Sequence, residues 1–274
     1  MKYLVPFDFT EVSKNALTYA LNLANKSGGE ILVVHFVKEK SLSAGKEILL
    51  KEYLSTVKTD EKINVSSQVL VGDFFIDIGK VAEFQKATVV VMGTHGVDLK
   101  QKIFGSNAIE IITNANLPFI VAQENCEIKE IKKIVLPFSI ETRSMQILRF
   151  VTELAKIHDA EIVLIGRNHD DDEVFKHKEN ANVILAKRHL LENDVKHRFE
   201  IVDVTKSHFL EYVIDFAETE NADLIATTYF SDSLFPIFEK FIQNLIVNKF
   251  NIPVVCLNAQ SLSHSDGAMS YMTN

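Results

Sequence analysis

Two successive sets of short Val- and Ile-rich runs, each interleaved with segments of helical spacing, make up most of this chain. In the first half the runs are Lys2–Pro6, Glu30–Phe36, Val65–Val71, Thr88–Met92 and Phe119–Ala122. They are nearly unbroken in Val, Ile, Leu and Phe, as parallel strands covered on both faces are. Between them Val12, Ala16, Ala20 and Leu23 share one helical face. Phe74, Ile78, Val81 and Ala82 share another, and Ala108, Ile111 and Ile112 a third. Strand and helix alternating at this length predict a parallel sheet with right-handed crossovers.

The same order then returns. Lys132–Pro137 echoes Lys2–Pro6, and the helical stretch Ile147–Ala155 echoes the one around Ala16–Ala24. Glu161–Ile165, Phe199–Val204 and Asp223–Thr227 echo the second, third and fourth runs. The closing segments match best: Asn114–Val121 reads NANLPFIV and Asn248–Val255 reads NKFNIPVV, with Pro118 and Pro253 in register. A repeat at half the chain length means two copies of one fold. The expected architecture is α/β: two tandem doubly wound five-stranded parallel-sheet domains, 1–124 and 130–258, with helices on both faces. The polar stretch Gln123–Lys129 is the expected linker, and 259–274, Ser- and Met-containing without period, an expected disordered tail. Phe119–Ala122 and Pro253–Leu257 could pair within the chain as an internal pseudo-dimer, which leaves a homodimer of whole chains open.

Composition narrows the function classes. The 274 residues carry a net charge of −8 with no basic stripe, so neither nucleic acid nor an anionic membrane surface is an expected partner. The opening MKYLVPFD lacks the basic region and cleavage site of a secretory leader, and no apolar run nears the ~20 residues of a membrane span. A cytoplasmic location follows as the expectation. Cys126 and Cys256 each close an apolar run without metal-ligand neighbours and are predicted to be free thiols.

In an open parallel sheet, ligands bind beyond the carboxyl ends of the strands, where the strand order reverses. Two segments fall there. One is VPFD, with Pro6 and Asp8; the other follows the fourth run, with Met92-Gly93-Thr94-His95-Gly96 and then Gly105-Ser106-Asn107 before a helical pattern. Glycine lets a backbone approach a ligand, and the free N–H groups of a helix start favour phosphate.

VPFDFTEVSKNALTYA, followed by VVVMGTHG and FGSNAIEIITNANLPFIV, resembles the universal stress protein family over the whole first half. The resemblance implies the adenine nucleotide α-hydrolase-like fold and an ATP or ADP site, often with a divalent metal such as Mg²⁺. It places Pro6, Asp8 and Phe36 at the nucleoside end, Met92 and Gly93 beside the ribose, and Gly96, Gly105, Ser106 and Asn107 around phosphate. It implies a regulatory, stress-response role with unknown protein partners. This chain has eight residues, Val97 to Phe104, where the family pattern has nine.

The second copy departs further. Ser139 stands for Asp8, Thr228 for Gly93, Ser231 for Gly96, and Lys240-Phe241 for Gly105-Ser106, so this copy is expected to bind no nucleotide. Other readings of the same residues stay open. Asp8 with Glu11, and Asn107 with Glu110, have capping-box spacing. Phe230, Phe235, Phe238 and Phe241 suit core packing or an apolar pocket. The acidic run His169–Glu173 lacks the spacing of a calcium loop and suits a solvated turn. His35, at a strand end, suits a hydrogen-bonded edge histidine. His95 between its glycines suits a loop residue, and with Asp8 is the sole candidate for acid–base work. Without a nucleophile or transition-state Arg, no enzyme is expected, and slow ATP hydrolysis at most. The alternative to nucleotide binding is an interaction scaffold.

Overall fold

The computed structural model describes residues 1–94, 104–138, 142–168, 173–230 and 236–259. The first half runs β1 (Lys2–Pro6), α1 (Glu11–Ser27), β2 (Glu30–Val37), α2 (Ser43–Thr56), β3 (Asn64–Val71), α3 (Phe74–Phe84), β4 (Val89–Thr94), α4 (Phe104–Thr113) and β5 (Phe119–Gln123). The second repeats it as β6 (Lys133–Pro137), α5 (Met145–His158), β7 (Glu161–Arg167), α6 (Glu173–Glu192), β8 (His197–Val202), α7 (Phe209–Thr219), β9 (Leu224–Tyr229), α8 (Pro236–Ile246) and β10 (Val254–Asn258). The expected tail 259–274 lies outside the described residues except for Ala259, which is buried and whose amide donates to the Tyr229 carbonyl at 2.8 Å; His95, Gly96, Ser139 and Ser231 also lie outside them.

All ten strands join one sheet in the order β3-β2-β1-β4-β5-β10-β9-β6-β7-β8. Pairing is parallel within each half, and β5 meets β10 antiparallel, with Ile120 opposite Val255. The pairing of the two closing runs expected from sequence is therefore present inside one chain. Each half places β1 beside β4, or β6 beside β9, where the chain reverses its direction across the sheet. α1, α2, α5 and α6 pack on one face, and α3, α4, α7 and α8 on the other.

Local chemistry explains the elements. The central strands are apolar on both faces and fully buried, as in Tyr3–Val5, Val89–Val91 and Ile134–Leu136. On α1 the buried side chains include Val12, Ala16, Ala20 and Leu23, the face its spacing predicts. Gly28 stops this helix in the left-handed region, φ 63°, where its N–H reaches the Ala24 carbonyl. Asp159 (φ 52°) ends α5 the same way.

The junction between halves carries a two-fold pair of amide contacts. Gln123 Nε2 donates to the Asn248 carbonyl at 2.9 Å, and Asn258 Nδ2 to the Thr113 carbonyl at 2.8 Å. Gln123 and Asn258 stand at the same repeat position, as do Thr113 and Asn248, so each half grips the segment just past or ending the other's last helix. Gln123 therefore belongs to β5, not to the linker where composition put it. Asn15 Nδ2 then ties the linker down through the Glu124 carbonyl at 2.7 Å.

Candidate functional site

A cavity of about 290 Å³ opens at the carboxyl ends of β1 and β4, the reversal point of the first half. Five residues expected from sequence line it together: Pro6, Asp8, Phe36, Met92 and Gly93. Thr10, Val12, Ser13, His35, Phe74, Phe75, Ala108 and Ile111 complete much of the wall.

The loop from β1 to α1 is held by hydrogen bonds among short side chains. Asp8 Oδ1 accepts from the Thr10 amide at 3.1 Å and from the Thr10 hydroxyl at 2.5 Å. Thr10 is the helix cap, its Oγ1 accepting from the Ser13 amide. The Asp8 amide donates to Ser13 Oγ. The capping box imagined for Asp8 and Glu11 is thus not the arrangement: Asp8 lies too far upstream and supports the cap one step removed. Partial removal from water works against the Asp8 charge. The Thr10 hydroxyl and amide, then Ser13 and its own amide, outweigh that and hold the carboxyl below the ordinary carboxylate range. An ionised Asp8 at the cavity is an acceptor suited to hydroxyl or amino donors.

Phe9 between these residues has φ 70°, uncommon for a bulky side chain and of the kind that clusters at functional sites. Its ring meets Phe7 at 5.2 Å and His35 at 5.1 Å, with Lys46 Nζ 5.0 Å above it. His35 Nδ1–H donates to the Phe7 carbonyl at 2.7 Å, so the hydrogen-bonded edge histidine is what the chain builds.

Gly93 is set by packing as much as by any ligand. A β-carbon there would lie 2.5 Å from the Val12 carbonyl oxygen, so the first turn of α1 can rest on β4 only over glycine. Across the cavity, Phe36, Phe74 and Phe75 form an aromatic wall, with ring centroids 6.1 and 5.1 Å apart. Sequence reasoning read Phe74 as helix core and passed over Phe75. The available signal was two adjacent phenylalanines at a helix start, which cannot both face one core 100° apart.

α4 begins at Phe104, so Gly105, Ser106 and Asn107 belong to its first turn rather than to a loop before it. Their amides are among the four N–H groups that a helix leaves unpaired. Asn107 is inside the helix, which removes the capping box with Glu110. Ala108 and Ile111, further along α4, reach the cavity.

The second half keeps the register and changes the chemistry. The Val90 amide donates to the Pro118 carbonyl and the Ile225 amide to that of Pro253, which aligns Gly93 with Thr228 as expected. Lys240 and Phe241 fall inside α8. The Phe241 ring stacks on Phe209 at 6.5 Å, and the Arg143 guanidinium lies 5.0 Å over the buried Phe230. Phe235 is outside the described residues, and the acidic run His169–Glu173 lies there apart from Glu173, the first residue of α6. Cys126 is half-buried and Cys256 buried, both free; burial pushes the Cys126 thiol up to about 11 and raises Cys256 too, so neither is a poised thiolate.

The duplicated, doubly wound α/β sheet is the adenine nucleotide α-hydrolase-like fold in tandem form. Residues 1–123 match the universal stress protein family. Two universal stress proteins of Methanocaldococcus jannaschii match as well: one is 28% identical over 139 residues (45% of this chain, 82% of that protein), the other 24% over 152 residues (44% and 94%). A universal stress protein from Archaeoglobus fulgidus has the same fold over both halves, with a TM-score of 0.73 at 17% identity, covering 94% of this chain and 98% of that one. The first half of the chain belongs to the universal stress protein family, and the second half repeats its fold. Among the described residues no helix is long and apolar enough to cross a membrane.

Proposed function

We propose that the first half binds an adenine nucleotide, ATP or ADP, and that its occupancy sets how the protein meets partners in a stress response, without catalysis beyond slow hydrolysis. The observation that carries this reading is the cavity at the β1–β4 reversal, with an ionised carboxylate at one wall and three phenylalanines at another. Its volume is near the lower end of small-molecule sites, about 300–1,000 Å³, and suits the flat, hydroxyl-bearing nucleoside end of the ligand. Asp8 would accept from ribose hydroxyls, the Phe36–Phe74–Phe75 wall would meet the base, and the first-turn amides of α4 would receive phosphate. No group of three metal-ligating side chains exists among the described residues, so Mg²⁺ would be carried chiefly by the phosphates. Among the described residues, Asp8 is the one carboxylate of the cavity lining.

Non-denaturing mass spectrometry of the full chain, as purified and with ATP and Mg²⁺, tests this. One nucleotide per chain is expected. No adduct, together with no thermal shift, would favour the scaffold reading; two nucleotides per chain would overturn the assignment of an inactive second half.

A further inference from the structure

His158 ends α5 with its side chain 1% exposed and with neither ring nitrogen in a hydrogen bond. Buried polar atoms are nearly always partnered, and an imidazole normally engages at least one nitrogen. The last residue of α1, Ser27, holds the corresponding place in the first half and meets the Tyr3 hydroxyl at 3.0 Å.

Three charged groups on neighbouring elements act electrostatically on the ring: Lys26 in the last turn of α1, and Glu130 and Lys132 on the segment leading into β6. Glu130 is the sole anion of the three and is already shared, with Lys132 at 2.6 Å and Lys26 at 3.0 Å. On either side of His158, Lys156 is paired with Glu153 and Asp159 with Lys196. α6 presents His189, which meets Thr152 of α5 at 3.2 Å.

We propose that His158 is an acid-sensitive latch on the seam where α1 of the first half meets α5 of the second. Neutral, the ring packs as an apolar plug; protonated, it becomes a buried cation beside two lysines with no uncommitted carboxylate, and the seam loosens. Its titration runs in the same sense: burial, with Lys26 assisting, pulls the ring from 6.5 down to about 4. The unfolded ring takes up its proton near 6.5, so between these values the unfolded state binds more protons. The stability contribution is whole above about pH 6.5 and is lost progressively as pH falls toward 4.

Denaturant unfolding of the full chain from pH 7.5 to 4.5, wild type against His158→Met, tests the latch. Methionine fills similar space without titrating and leaves His189 and all carboxylates in place. The variant should match or exceed wild type at pH 7.5, and the wild-type unfolding constant should rise about tenfold more than the variant's between pH 7 and 5. His158→Gln should share the flatter profile. Parallel profiles in wild type and His158→Met would overturn the proposal. Should the variants fail to fold, NMR titration of His158 in the wild type decides: a midpoint at or below 5 supports the latch, and one near 6.5 sinks it.

Discussion

Gly93 and Thr228 sit at the same register of the two half-sheets, three residues past the amides that bond Pro118 and Pro253. Over Gly93 the first turn of α1 comes down until the Val12 backbone touches β4. Where threonine stands, α5 starts later: at Met145, eight residues after Pro137, against Glu11, five after Pro6. The interval holds a 3₁₀ turn, Thr142–Ser144, and Arg143 lies over Phe230 beyond the end of β9. In the first half the helix start rests on the strand end beside a cavity; in the second, threonine holds that strand position and the helix starts three residues further along the chain.

Exchanging those two residues is the harshest way to break the comparison. Gly93→Thr drives a side chain into the Val12 carbonyl and should cost about 3 kcal/mol of stability by chemical denaturation, with loss of nucleotide binding. Thr228→Gly should cost about 1 kcal/mol and create no second binding event, because a missing methyl and hydroxyl do not rebuild a helix start.

Asp8 tests the ligand side of the contrast. Asp8→Ala should weaken ATP binding about tenfold to a hundredfold in calorimetry, hydrogen bonds to charged groups being worth about 1.5–3 kcal/mol. Since the folded state holds this carboxyl below its ordinary value, its stabilisation is present above about pH 3.9 and is lost as pH falls through the folded value. Asp8→Asn should therefore flatten the acid limb of the stability profile below pH 4.

The junction sharpens what the halves still share. Gln123→Ala strands a buried carbonyl and Asn258→Ala a partly buried one, and each should cost about 1–2 kcal/mol in urea unfolding. Costs that differ by more than this range would show that the two-fold relation is geometric without being energetic. The smallest effect is at the helix stop, where Asp159→Gly should gain about 0.5 kcal/mol by relieving a left-handed residue.

Strands and their pairing were legible because buried parallel strands are written as unbroken apolar runs, and because Pro118 and Pro253 fix the repeat. The edge strand was less so: β8 is His197–Val202 rather than Phe199–Val204, since its partner β7 ends at Arg167, opposite Val202. The cavity residues at strand ends, Pro6, Asp8, Met92 and Gly93, could be read from topology. Thr10, Ser13 and Phe75 could not, because a cap two residues downstream and the aim of a second phenylalanine depend on where a helix begins. The contact of Val12 with Gly93 joins residues eighty-one positions apart and leaves no local mark. Gln123 and Asn258 did leave one: a polar amide closing an apolar strand at matching positions in both copies.

The antiparallel β5–β10 seam has a genetic consequence. When two identical subunits meet across a dyad, every substitution lands on both sides at once and must suit itself. Here the facing surfaces are encoded separately, so Thr113 can oppose Asn258 while Asn248 opposes Gln123, and each side is free to diverge while its neighbour preserves the architecture.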